Sequence, residues 1–309
     1  MKTVIIDNPL SLEHNTPPGH PEHIGRYEAV KTALGALEGV DWKPAIAGTR
    51  EQIERFHPTE YFDWMLTANE AAQTGLVSLD PDTHISQRSM EAGMMSVGGA
   101  CEAVDLAIAG ESEAAFLLAR PPGHHAEPIR AMGFCLFNTI ALAASYALKE
   151  YRIERVAIID IDVHHGNGTQ CLAEKDDRVF FASLHQSPLY PGTGNADETG
   201  LNGNVLNIPL DEGTQGAEWR EAFEREIIPA LEKFKPEMVF VSAGFDAHKD
   251  DPVGGLCLSE DDFAWAATQL AGIAKQFASS RLVSVLEGGY ECAALGRSAR
   301  AFVEALSKG

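Results

Sequence analysis

The sequence predicts an α/β fold built on a mostly parallel sheet, and three features of it do so. Short runs rich in β-branched residues alternate along the chain with segments whose apolar residues recur at helical spacing. These short runs are continuously apolar, as strands covered on both faces are. Most of them end in a cluster of His, Asp or Gly, where an open parallel sheet presents the carboxyl ends of its strands to a ligand.

In chain order, residues 4–6 read as the first strand, followed by helical segments at 23–37, 59–73 and 89–108. A second strand at 114–119 runs into Arg-Pro-Pro-Gly-His124-His125, and helical spacing resumes at 138–149. Strand 156–161 carries Asp160 and leads to Asp162, His164, His165 and Asn167. Strand 179–184 contains Ser183 and Leu184 and is followed by His185; a further strand lies at 205–208 and a helix at 218–234. Strand 238–243 leads to Asp246 and His248. Helix 260–277 and strand 282–286 come next, then Glu287-Gly288-Gly289-Tyr290 and a last helix at 293–306.

With 309 residues, no repeat, no low-complexity run and no linker rich in Pro, Gly or Ser, the chain is expected to form a single domain over 1–309. Its 45% apolar and 22% charged residues are those of an ordinary soluble protein. Forty-five acidic against 24 basic residues give a net charge of −21, the wrong sign for holding nucleic acid by neutralising phosphates, so no direct nucleic-acid partner is expected. The N-terminal apolar run stops at Asp7, and segment 140–148 is broken by Ser145 and Tyr146. No export signal and no membrane partner are therefore expected, and the expected location is the cytoplasm. Five cysteines, odd in number, widely spaced and never in a C-x-x-C pair, point to neither a disulfide framework nor a thiolate zinc site.

Asp160, Asp162 and His164 stand at i, i+2 and i+4, which in an extended chain places them on one side. Any one of them could be a helix cap, but the set is better explained by a divalent ion held by Asp162 and His164 with Asp246 as third ligand, leaving a position open as catalytic zinc sites do. Such a donor set suits zinc without excluding iron, cobalt or manganese. The tandem His124-His125 lies in a Pro- and Gly-rich turn after another strand. With Asp160 as partner of one imidazole and Asn167 of the other, the two can take different charge states and divide acid and base work. Tyr290, delivered by Gly288 and Gly289, is a candidate oxyanion donor.

Seven segments carry a wider resemblance: R-P-P-G-H-H-A at 120–126, G-F-C-L-F-N at 133–138, D-I-D-V-H-H-G-N-G-T-Q at 160–170, S-L-H at 183–185, Y-P-G-T-G at 190–194, S-A-G-F-D-A-H at 242–248 and L-E-G-G-Y at 286–290. In order and spacing they resemble the histone deacetylase family, nearest its class II members and the bacterial deacetylase-like amidohydrolases. The resemblance implies a three-layer αβα arginase/deacetylase fold with an eight-stranded sheet, and hydrolysis of an acylated lysine or related acylated amine. It implies one Zn2+ per chain on Asp162, His164 and Asp246, with Fe2+ or Co2+ as substitutes, and catalytic roles for His124, His125, Asp160, Asn167 and Tyr290. Phe134 and Tyr190 match the aromatic pair walling an acyl-lysine channel, with Gly133 beside them, and Asp82 matches a rim carboxylate that holds the substrate backbone. Tyr190 departs from the common Phe. A structural K+ on Asp160, Asp162, His164, Ser183 and Leu184 is implied, as is association into homo-oligomers.

Three other substrate or activity classes are weighed against this reading. An acetylpolyamine deacetylase would suit an acidic chain, but Val253 stands after Asp251-Pro252 where polyamine-selective relatives carry a glutamate. A non-catalytic acetyl-lysine-binding module would be signalled by loss of the tyrosine or of a metal ligand, and none is lost. A cysteine hydrolase built on Cys135 is disfavoured because that thiol sits in an apolar run, where packing is its expected role.

Overall fold

The computed structural model describes residues 1–309. Its strands are β1 (Thr3–Asp7), β2 (Val40–Pro44), β3 (Val77–Ser78), β4 (His84–Ile85), β5 (Ala114–Leu118), β6 (Val156–Asp160), β7 (Val179–Gln186), β8 (Val205–Leu210), β9 (Met238–Ala243) and β10 (Leu282–Leu286). Eight of them form one sheet in the order β2-β1-β5-β10-β9-β6-β7-β8, every pair parallel. β3 and β4 make a separate two-stranded antiparallel hairpin. All seven strands expected from the sequence are present.

β2 is the sheet strand that the sequence reading omits. It is a half-exposed edge strand with Asp41, Lys43 and Pro44, residues that blunt an edge and leave no apolar run to read. Helices cover both faces. Ile5, Phe116, Leu118, Ile159 and Val241 point to one side, into a cluster of 42 buried residues shared with helices Gly25–Leu34, Glu260–Phe277 and Cys292–Lys308. Val4, Ile6, Leu117, Ile158 and Phe240 point to the other, into a cluster of 27 with helices Ser89–Ala109 and Thr139–Glu150. This two-sided burial is why the strands read as continuous apolar runs rather than alternating ones.

Two helical expectations change. The segment at 218–234 is not one regular helix: Gly216–Ala222 and Ile228–Phe234 are joined by a π-helical turn, Phe223–Ile227. Helix Ser89–Ala109, at 21 residues, is by length and composition long and apolar enough to cross a membrane, which the sequence reading passes over; 67% of its apolar window is buried inside the fold, so core packing accounts for it.

Because the sheet is parallel, the segments after β5, β10, β9, β6 and β7 leave the same edge side by side. Residues up to 164 positions apart in the chain meet there.

Candidate metal centre and active site

β6 ends at Asp160, so Asp162 and His164 are not aligned by strand periodicity as the spacing suggested. They lie in a turn held by the side chains themselves: Asp160 Oδ1 accepts the N–H of Asp162 at 3.1 Å, and Asp162 Oδ1 accepts the N–H of His164 at 2.9 Å. Local Asp-to-backbone bonding of this kind competes with strand extension. The turn sends Asp160 away from the other two, towards His124, and aims Asp162 and His164 at the loop after β9.

There Asp246 completes a cluster. His164 Nδ1 lies 3.0 Å from Asp162 Oδ1 and 3.1 Å from Asp246 Oδ2, and one ligand atom from each residue lies within 4.8 Å of the others. All three residues are buried. The second oxygens are also held, Asp246 Oδ1 by the N–H of Val163 at 2.9 Å and Asp162 Oδ2 by that of Gly288 at 2.8 Å. Two buried carboxylates this close need a positive charge between them. The imidazole supplies it as a proton: burial opposes its charge, but Asp162 and Asp246 hold it up at about 10. Burial and the charge of Asp162 push Asp246 up to about 7. A dication that displaced the proton would relieve both strains, and this two-oxygen, one-nitrogen set fits zinc or a similar first-row ion.

The tandem histidines follow β5, both buried, with ring centroids 4.0 Å apart. His124 Nδ1 pairs with Asp160 Oδ2 at 2.9 Å and His125 Nδ1 with Asn167 Oδ1 at 2.8 Å. Asn167 in turn donates to Glu127 Oε1 at 2.8 Å, which fixes its amide so that oxygen faces the imidazole. The environments separate the pair. Burial disfavours charge on His124, but the charges of Asp160 and Asp162 prevail and raise it well above an ordinary imidazole. Burial and the neighbouring His124 and His164 depress His125 well below one. One imidazole is thus a cation and the other a neutral base with a free Nε2.

Tyr290, half-buried, is brought in by Gly288 and Gly289. A Cβ on Gly288 would overlap the carboxylates of Asp246 and Asp162, and Gly289 has a φ of 117°, where side chains are strained. Burial and the charge of Asp246 raise the phenol well above its usual range, so it stays a proton donor. The Arg26 guanidinium lies 4.9 Å from its ring centroid.

A cavity of about 160 Å³ opens onto these groups and is lined by Asp82, His125, Gly133, Phe134, His164, Tyr190, Val253 and Tyr290. Phe134 turns in through consecutive positive φ values at Gly133 (57°) and Phe134 (68°), and the Tyr190 ring stands edge-on to His125 at 5.1 Å. Asp82 is at the mouth, pushed up to about 6 by burial and by Asp80. Ser183 sits in register with Asp160 on the adjacent strand, its hydroxyl bonded to His185 Nδ1 at 2.9 Å; Leu184 is buried beside it. Cys135 is buried and its thiol pKa is raised well above the usual range by that burial, the opposite of an activated nucleophile.

Three residues that the sequence reading leaves without a role support this centre. Glu287 Oε2 accepts the N–H groups of Gly123 and His124, at 2.6 and 3.1 Å. Asp251 Oδ2 accepts those of Tyr290 and Glu291, at 2.6 and 3.2 Å, while its Oδ1 accepts that of Val253 at 3.0 Å. Arg26 donates to the carbonyls of Gly289 and Glu287. Glu287 lies inside a motif and was legible as a polar strand end; nothing local marks the other two.

Fold and site together define a hydrolase of the deacetylase and amidohydrolase type. Known proteins agree. A family model described as the histone deacetylase domain matches residues 20–306. A histone deacetylase-like amidohydrolase from Pseudomonas aeruginosa is 37% identical over 93% of this chain and 76% of its own. A probable deacetylase from Archaeoglobus fulgidus is 36% identical over 94% of this chain and 82% of its own. The crystal structure of the HDA15 HD domain superposes with a TM-score of 0.93 at 30% identity, covering 99% of this chain and 88% of that one. The chain belongs to the histone deacetylase family, and its sheet is the arginase/deacetylase arrangement.

Proposed function

We propose that the protein is a zinc-dependent amidohydrolase that removes acetyl or other acyl groups from N-acyl-lysine in peptides or proteins, or from a related acylated amine. The observation that carries this reading is the buried Asp162-His164-Asp246 cluster lining, through His164, the same narrow cavity as His125 and Tyr290. Asp162, His164 and Asp246 would hold the ion, which when bound supplies Lewis acidity towards an amide carbonyl and brings the pKa of a water towards roughly 7. His125 takes a proton from the attacking water on its free Nε2 and returns it to the departing amine. Asn167 keeps that imidazole in the tautomer with Nδ1–H, and His124, charged through Asp160, stabilises developing negative charge. Tyr290 donates its hydroxyl proton in a hydrogen bond to the tetrahedral oxyanion.

Phe134 and Tyr190, with Gly133 at their base, sheathe an apolar lysine stem, and Asp82 at the mouth accepts from the substrate backbone. Val253 lines the cavity as a neutral residue, which favours acyl-lysine over an acetylpolyamine, whose second cation would find no carboxylate at that position. Asp160, Asp162 and Ser183 with the main chain of His164 and Leu184 form the proposed K+ site. Action in the cytoplasm and association of copies belong to the same proposal. The test is kcat/KM of the zinc-loaded protein on an acetyl-lysine peptide, longer acyl-lysine peptides and N-acetylputrescine. Preference for a peptide assigns acyl-lysine, preference for N-acetylputrescine assigns the acylated amine, and turnover of none of them defeats the reading.

A further inference from the structure

Away from the strand ends, a second pocket of about 220 Å³ lies on one flank of the sheet, between helices Thr139–Glu150 and Asn167–Ala173. In a chain with a net charge of −21, its lining gathers four cations, Arg55, Lys149, Lys175 and Arg178, against one carboxylate, Asp176. Arg178 spends its fork on Asp176, with Nη2 at 2.6 Å, and Arg55 Nη2 reaches Glu150 at 2.5 Å.

Neither lysine has a carboxylate within 4.0 Å; the nearest acceptor for Lys149 Nζ is the carbonyl of Arg55 at 3.3 Å. Burial first, and then the charges of Arg55 and Arg178, lower the pKa of Lys149. Beneath them, Arg55 Nε and Ser145 Oγ are buried without a hydrogen-bond partner.

Like charges that converge in this way are costly unless a counter-charge occupies the space between them. Phe56, Pro128, Leu148 and Leu172 supply the apolar part of the wall. The volume suits a single phosphoryl group with a small organic body. A polyanion is disfavoured by the field of the whole molecule, which is strongly negative.

We propose that this pocket binds a small phosphate monoester, its phosphoryl oxygens on Lys149 and Lys175 and its organic part against Phe56, Leu148 and Leu172. The site is independent of the catalytic reading and shares no residue with it. It nevertheless touches both supports of Asn167: Leu172 lies on the short helix that Asn167 begins, and Pro128 follows Glu127, whose carboxylate receives the Asn167 amide.

The test is calorimetric titration of the whole protein with phenyl phosphate and with inorganic phosphate in about 0.15 M salt, where weak surface pairing is screened. The expected result is one-to-one saturation, tighter for phenyl phosphate. In the double variant Lys149→Gln, Lys175→Gln, affinity falls at least about tenfold, as expected for loss of charge-assisted bonds. Both lysines are exposed, so the variant should fold, and a melting temperature no lower than that of wild type is part of the expected result. No saturation by either probe, or equal affinity in wild type and double variant, overturns the site. Phenyl phosphate binding no tighter than phosphate overturns the monoester assignment. Because no acyl substrate is used, failure of the deacetylase reading leaves this outcome unaffected.

Discussion

Glu287 and His124 are 163 residues apart in the chain, yet the carboxylate of one accepts the main-chain N–H of the other at 3.1 Å. The same oxygen takes the N–H of Gly123 at 2.6 Å, while Oε1 has no partner and burial pushes the acid up to about 7. A side chain needed only to fill space here would be apolar. What the site requires is an acceptor that fixes the turn carrying both imidazoles.

Glu287→Gln keeps that acceptor and is expected to retain kcat within about threefold. Glu287→Met keeps the volume but leaves two buried N–H groups unpaired, at about 1–3 kcal/mol each. It should lose at least about tenfold in kcat, with KM and bound zinc little changed, because a small misplacement of a catalytic base is costly. Steady-state kinetics with metal analysis decides it. Wild-type turnover in Glu287→Met, or a comparable loss in Glu287→Gln, would show that the acceptor is not what matters.

Most of the sheet was legible because strands buried on both faces leave uninterrupted apolar runs, as at Ile158 and Phe240. β2 was not, since an edge strand with Asp41 and Lys43 leaves no such run. At the site, the clustering of Asp162, His164 and Asp246 follows from strand ends converging, but the reason for it does not: the i, i+2, i+4 spacing acts through a side-chain-bonded turn, not a strand. Asp251 and Arg26 stayed invisible because what each does for the site runs through backbone atoms of distant residues, Tyr290 and Glu291 for Asp251, Glu287 and Gly289 for Arg26.

Tyr290→Phe removes one hydroxyl and leaves the ring packed against Phe134 at 5.8 Å and beneath Arg26. The metal cluster does not involve the phenol, so zinc content by elemental analysis should stay at that of wild type. Loss of an oxyanion donor is worth roughly 100- to 1000-fold in kcat. Turnover of an acetyl-lysine peptide near the wild-type rate would remove Tyr290 from the chemistry.

The metal cluster ties stability to pH with a definite sign. His164 is raised from 6.5 to about 10 by Asp162 and Asp246 against the opposition of burial, so its contribution is fully present below about 6.5 and is lost as pH rises through about 10. Asp246, raised to about 7, acts in the same direction at lower pH, because its ionisation is disfavoured in the fold. Metal-free protein should therefore melt at progressively lower temperature from pH 6.5 to 9. A bound dication replaces the proton, so the rise in Tm on adding zinc should grow over that interval. A zinc-induced rise that is flat or shrinks with pH would mean that His164 is not the proton holder.

The two glycines before Tyr290 look alike in sequence but fail differently. At Gly288 the nearest atoms to an added Cβ would be the carboxylates of Asp246 and Asp162. Gly288→Ala should therefore displace the ligands. Bound zinc should fall more than the roughly 10- to 100-fold typical of losing an outer hydrogen-bond partner. Gly289, at φ 117°, would bring its Cβ to 2.7 Å from Leu295 Cδ1. Gly289→Ala should cost about 1–3 kcal/mol of stability through backbone strain and shift Tyr290 while zinc stays bound. Zinc titration and thermal melts of both variants separate the two effects: stoichiometric zinc in Gly288→Ala would place the metal somewhere other than between Asp162 and Asp246.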